Sequence, residues 1–400
     1  MLNNKDFAII ICNYFAAQIS RFSQYTILIW VILEGSKSAF SVAFVGVCAF
    51  LPYILFGTMG GLLADKFKRK HVLIVTQLVL FCTSSMLFFL FHTKGNISVV
   101  IAYLVIFING LVYVIEKPSK SLAVRELINA KFLTRALALI GFTIQASRMI
   151  GPLLGGFLIS LIGLKYSYGP ILFIHIFTVF SLFLVDFPNS FNTLSSSDNK
   201  TLIYEIKSSI DYFFSERILL AVMLITITIH LFASSYFQMI SVVATKNFEV
   251  GAGLTGLLMS CEGMGSMLGF FNIMIMGQIK ALGRLFYFGA LVMCIGIFFF
   301  SLSSSFLVAA FLIIITGFGF SSFAIMFENI ILRIVPVNMQ GRILGIGNFV
   351  IGFQIIGALI IGALSEYLGV NNALRLTSII GVLLICFIVI RINEINKKNI

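Results

Sequence analysis

Long apolar stretches, each broken by a few polar or turn-forming residues, occupy almost the whole chain. Hydropathy and breaker residues predict twelve helical spans: 8–33, 40–64, 71–92, 97–116, 135–161, 168–187, 218–245, 251–277, 283–302, 306–331, 342–366 and 371–391. A hydrocarbon core takes roughly 20 apolar residues per helical crossing, so every span is long enough to cross it. Connecting segments are short except at 188–217, which begins with the polar run Asn192 to Lys200. Beyond that run, Leu202, Ile206, Ile210 and Phe213 recur at helical spacing, opposed by Lys200, Glu205, Lys207 and Asp211. This pattern predicts a short amphipathic helix lying on the membrane surface. The chain therefore divides into a six-helix half at 1–187, a linker at 188–217 and a second six-helix half at 218–400. The expected class is an all-α integral membrane protein of twelve transmembrane helices in two pseudo-symmetric halves.

The halves also look like a duplication. Gly151, Gly156 and Gly163 in the fifth span match Gly357, Gly362 and Gly369 in the eleventh, each pair 206 positions apart. A parallel repeat of this kind is an architecture of secondary transporters, which bind their cargo between the halves.

Composition removes the soluble alternatives. Apolar residues make up 60% of the chain and charged residues only 10%, with 43 phenylalanines. A net charge of +12 would ordinarily raise the question of nucleic acid. Here the cations follow topology instead. With the N-terminus in the cytoplasm, 20 of the 27 Lys and Arg fall on the cytoplasmic side and five on the other. The remaining two, Arg21 and Arg148, lie inside spans. The positive-inside rule then puts both termini and the linker in the cytoplasm of a multi-pass plasma membrane protein. The first apolar stretch reads as a retained helix and not as a cleaved signal. All six cysteines fall in apolar stretches without paired spacing, so neither disulfides nor a metal site is expected. No G-x-x-x-x-G-K-[ST], H-E-x-x-H or G-x-S-x-G run is present, so no ATPase or hydrolase activity is expected, and no cofactor.

Two runs carry the functional signal. Gly61-Leu-Leu-Ala64-Asp65-Lys66-Phe67-Lys68-Arg69-Lys70, between spans 2 and 3, sets one acid among four cations at the membrane boundary. A carboxylate there can face a helix N-terminus and latch the halves together. Arg148-x-x-Gly151-Pro152-x-x-Gly155-Gly156, in span 5, spaces small residues for close helix approach around a proline bend. The first run resembles motif A of the major facilitator superfamily, with Lys68 where Gly or Asp is common. The second resembles the antiporter motif C of drug exporters, with Ser147 in place of its upstream glycine. Phe50-Leu-Pro52-Tyr-x-x-Phe56-Gly57, Gly341-Arg342 and Gly369-Val370-Asn371 extend the likeness to the macrolide-efflux and enterobactin-exporter group. The resemblance implies the major facilitator fold and alternating access. It also implies that Asp65 clamps the start of span 11 near Arg342 when the cytoplasmic side is closed. The sequence departs from that pattern in span 1, where Ser23-Gln24 stands for a common Gly-Asp, and in span 4, where Asn109 is the nearest polar residue to a missing arginine.

Ionisable groups inside a membrane are costly and so are functional candidates by default. Gln18, Arg21 and Tyr25 share one face of span 1 and are expected to line an aqueous cavity with Gln24, Asn109 and Arg148. Glu262 is read as the one central carboxylate, paired with Arg148 or Arg21, and is the candidate for proton coupling. Glu116 and Glu328 are placed at the cytoplasmic ends of spans 4 and 10 as gate ion pairs, alongside Gly61, Asp65, Lys66, Arg69, Lys70 and Arg342. His175 and His230 are read as satisfied histidines.

The resulting expectation is a monomeric, proton-coupled antiporter in a bacterial inner membrane. Its partners are a small amphipathic molecule (a siderophore or a drug- or macrolide-like compound), protons and the bilayer, with no nucleic acid. The alternatives are a proton-coupled uptake symporter and a non-transporting sensor on a transporter fold. Motif C opposes the first, and the intact motif A with a short tail opposes the second.

Overall fold

Helices account for almost every position of the computed structural model, which describes residues 5–128, 132–186, 212, 215–276 and 281–396. Side chains at 58–66, 125, 133, 134, 337, 338, 341, 342, 348 and 396 lie outside the description. So does most of the linker, including the segment expected to form the amphipathic helix.

The first half contains α1 (Lys5–Ser36), α2 (Ala39–Lys66), α3 (Arg69–Lys94), α4 (Val99–Leu127), α5 (Leu133–Tyr166) and α6 (Tyr168–Phe183). The second contains α7 (Arg217–Phe232), α8 (Tyr236–Asn247), α9 (Ala252–Met276), α10 (Leu282–Phe300), α11 (Phe306–Ile334), α12 (Val337–Ile351), α13 (Gln354–Leu368) and α14 (Val370–Arg391). Among the described residues, ten stretches are long and apolar enough to cross a membrane, and α6 is a shorter apolar helix. Two of the ten join a pair of helices: α7 with α8, and α12 with α13. With the more polar α1, which has 32 residues, the crossings come to twelve. An even number puts both termini on one face.

Three expected boundaries are corrected. Span 7 is two helices, because the chain breaks at Ala233–Ser235, where the amide of Ser234 bonds Ile229 O at 2.8 Å. Span 11 is likewise interrupted at Gly352 and Phe353, whose amides turn back to Phe349 O and Val350 O. The fourth span continues to Leu127 instead of stopping at residue 116, because Pro118 sits inside the helix without ending it. Within a membrane, helix breakers are tolerated where neighbouring groups satisfy the freed backbone.

The glycines that suggested duplication adopt matching structures. Gly163 (φ 73°, ψ 164°), which kinks α5 near its end, and Gly369 (φ 81°, ψ 153°), which caps α13, share one conformation, a left-handed-side geometry that favours glycine. Gly156 packs on Ala252 and Gly256 of α9, whereas Gly362 packs on Ala43 and Phe40 of α2. Each half thus sends one small-residue helix against the other half. These contacts lie on the face opposite the termini, where Ser38 Oγ also donates to Glu366 Oε2 at 3.2 Å.

Candidate functional site

A cavity of about 390 Å³ lies between the halves. It runs from Tyr25 and Gln238, joined by a 3.0 Å hydrogen bond, to Lys117 and Glu328, which are exposed towards the face that carries the termini. Phe22, Phe50, Phe237, Phe320, Phe323 and Phe327 supply its apolar wall.

Arg148 of α5 and Glu262 of α9 bridge the halves through two bonds, Nη2–Oε1 at 2.6 Å and Nε–Oε2 at 3.1 Å. Such a bidentate pair fixes geometry as well as charge. The carboxylate is almost fully buried, whereas the guanidinium keeps 20% exposure in the cavity and lies 4.6 Å from the Phe320 ring. α5 and α9 pack against each other along their length, which is why a residue of each half can meet here.

A second charged cluster stays within the first half. Glu116 accepts from Arg21 Nη2 at 2.5 Å and from Gln77 Nε2 at 2.5 Å, and forms an ion pair with Lys120 Nζ at 2.6 Å. Arg21 rests over the Tyr113 ring at 4.4 Å, and Lys120 over Tyr14 at 4.6 Å. Three expectations are corrected by this geometry. Glu116 does not sit at the helix end; it is an ion-paired, buried carboxylate eleven residues before the end of α4, so Glu262 is not the one central acid. Lys120, beyond the expected end of span 4 at residue 116 and so expected in a cytoplasmic loop, is a buried helix residue. Arg21 pairs with Glu116, leaving Glu262 to Arg148.

Gln18, Arg21, Tyr25, Asn109 and Arg148 line the cavity, but Gln24 does not. Its side chain turns behind the wall, donating to Ser84 Oγ at 2.6 Å, meeting His175 Nε2 at 2.7 Å and accepting from Asn109 Nδ2 at 3.1 Å. His175 also contacts Ser20 Oγ at 3.2 Å. Gln24 therefore orients Asn109. His230 bonds Thr226 O through Nδ1 at 2.8 Å and lines the cavity. Glu328 lines the cavity and makes no ion pair among the described residues.

In the latch region, Arg69 pairs with Glu126 at 3.1 Å, and Lys70 donates to Phe183 O and Val185 O. The side chains of Gly61, Asp65, Lys66 and Arg342 lie outside the description. In α5, Gly151 abuts Phe22 of α1, Gly155 abuts Ser23, and Pro152 lies against Gly256.

Sequence reasoning missed Lys117, Tyr113, Ser234, Tyr236 and Gln238 as cavity residues. The i, i+4 spacing of Glu116 and Lys120 was the available signal for a helix continuing past 116. Several buried polar atoms of the lining residues have no partner among the described residues: Gln18 Nε2, Arg21 Nε, Asn109 Oδ1, Ser234 Oγ, Tyr236 Oη and Gln238 Oε1. Buried polar groups are normally hydrogen-bonded, so these are unmet bonding positions in the wall residues. No cluster of metal-ligating side chains occurs among the described residues.

Twelve crossings, two halves joined by small-residue helices and a phenylalanine-walled cavity with charged groups between them define a transporter with the major facilitator fold. The chain belongs to the transmembrane secretion effector family, which it matches over residues 1–399. It is similar to the staphyloferrin A transporter of Staphylococcus aureus, at 22% identity over 92% of this chain and 91% of the relative. It is also similar to YfiS of Bacillus subtilis, an uncharacterized MFS-type transporter, at 25% identity over 81% and 78%. Among solved structures it resembles a POT family transporter in complex with 5-aminolevulinic acid, with a TM-score of 0.76 at 13% identity, covering 98% of this chain and 96% of that one. A D-xylose–proton symporter gives 0.73 at 16% identity, covering 96% and 97%. At these identities the structural likeness speaks for the fold alone. The chain is a multi-pass membrane transporter and not an enzyme.

Proposed function

We propose that the protein exports a small amphipathic anion from the cytoplasm by alternating access, in exchange for protons. The observation that carries this reading is the cavity wall, where Arg21, Lys117 and Arg148 stand among phenylalanines. Cations select an anionic group, and aromatic rings accept a bulky apolar body. A siderophore-type carboxylate or an acidic drug-like compound has this character, and the name of the Staphylococcus aureus relative points the same way. The halves are residues 1–187 and 218–400, joined by the 188–217 linker. The face carrying the termini is cytoplasmic by the charge count, so the cavity is open for loading from inside the cell.

Glu262 and Arg148 form the coupling pair in this reading. Protonating Glu262 removes the charge that holds Arg148 and frees the two halves to move. Moving an equilibrium from 1:99 to 99:1 needs about 5.5 kcal/mol, and desolvation of one carboxylate is a term of several kcal/mol. Asp65 acts as the latch on the cytoplasmic side, engaged when that side closes and released in the open state.

The test is a metabolite comparison of growth medium from a deletion strain and its parent. Export requires a compound that is absent from the mutant medium and retained in the mutant cells. A compound consumed by the parent and left in the mutant medium would instead mean uptake.

A further inference from the structure

We propose that Arg21 and Gln18 form the carboxylate-binding subsite of the cavity, and that Lys120 is the reserve counter-ion that lets Arg21 leave Glu116 for the cargo. This deepens the anionic-cargo reading and rests on it. The cluster holds two cations for one acid, since Arg21 and Lys120 share Glu116 from opposite oxygens, Oε2 and Oε1. The two cations are not equivalent. Arg21 lines the cavity, whereas Lys120 is 3% exposed and does not. Arg21 Nη1 also donates to Gln18 Oε1 at 3.3 Å, orienting that amide. Arg21 Nε and Gln18 Nε2 are both buried and without a partner among the described residues. Both are donors, so the group that completes them is an acceptor, and beside a guanidinium an anionic one is favoured.

Taking Arg21 away from a lone buried carboxylate would strand a charge, which is strongly unfavourable. Lys120 removes that obstacle. When an anion takes Arg21, Glu116 remains paired with Lys120 and hydrogen-bonded by Gln77. Without Lys120, Arg21 becomes the one counter-charge of Glu116 and stays with it.

The experiment is titration calorimetry on the purified full-length protein in detergent, with naphthalene-2-carboxylate and its uncharged isostere naphthalene-2-carboxamide. The wild type should bind the carboxylate at least about tenfold more tightly than the amide. Lys120→Met should weaken carboxylate binding by about tenfold while leaving amide binding within about twofold. Adding Glu116→Gln to Lys120→Met should restore the carboxylate preference, because Arg21 then has no acid to hold it. A Lys120→Met protein that keeps its preference overturns the reserve role and leaves the anionic-cargo reading standing. Loss of both ligands together in Lys120→Met, or no restoration in the double variant, makes Lys120 structural and also overturns the reserve role. A wild type that does not prefer the carboxylate overturns the subsite and the anionic-cargo reading with it.

Discussion

A single methyl group placed between the halves should change which face of the transporter is open. Gly256 of α9 faces Gly156 of α5, and a Cβ on Gly256 would stand 2.8 Å from Gly156 Cα and 3.1 Å from its nitrogen, with Pro152 O closer still. Carbon atoms are at rest about 3.5–4.0 Å apart, so the two helices would have to part by about 1 Å. Overpacking of this kind typically costs about 1–3 kcal/mol. That cost falls on the conformation in which the helices touch, the one closed on the face opposite the termini. Once that face has opened, the methyl group has room. Gly256→Ala should therefore shift the population toward opening on that face by about 5–150-fold. The helix itself is not weakened, since alanine favours it over glycine by about 1 kcal/mol. Spin labels at Lys165 and Lys246, exposed near that face in different halves, would report the change as a longer, broader distance distribution. An unchanged distribution together with unchanged transport would refute the reasoning, because the contact would then not oppose opening.

Other consequences can be checked separately. Glu262→Gln should abolish concentrative, pH-gradient-driven transport while leaving cargo binding measurable; a variant that still concentrates cargo with the same pH dependence would make Glu262 structural. Asp65→Asn should insert normally but transport far less, measured as initial rate per inserted molecule, and a full rate at normal expression would remove the latch role. For topology, a cysteine at Asn96 should react with an impermeant thiol reagent in intact cells and one at Ser215 should not, in a background lacking the native cysteines. The reverse pattern would overturn the orientation. Arg148→Lys keeps the charge but loses the two-point bond to Glu262, and should lower transport more than it lowers expression, as compared by rate against membrane-inserted protein.

The crossings were legible because lipid demands long apolar runs and nearly every run supplies one. The interruptions at Ala233–Ser235 and at Gly352 were not, because Ser-Ser and Gly-Phe within apolar surroundings leave hydropathy almost unchanged. Arg148 with Glu262 was legible for a different reason: charges within apolar spans are few, so few pairings remain. Glu116 was misread because Lys117, Pro118 and Lys120 together look like the start of a cytoplasmic loop, and burial of a lysine by a neighbouring acid leaves no hydropathic trace. Gln24 shows the limit of helical spacing. It stands three residues from Arg21, yet its side chain turns to Ser84 and His175, a choice made by the neighbouring helices.

The two broken crossings have a mechanical consequence. Their counterparts in the first half, α1 and α5, run without a break at the level of the cavity. Ser234, Ile351 and Gln354, at or beside the two interruptions, all line the cavity. A continuous helix carries a tilt from one end to the other like a lever, whereas an interrupted one can pivot where it is broken. Two halves of common design are therefore unequal as machines: the first swings as a stiff arm, and the second can flex at the height where the cargo sits.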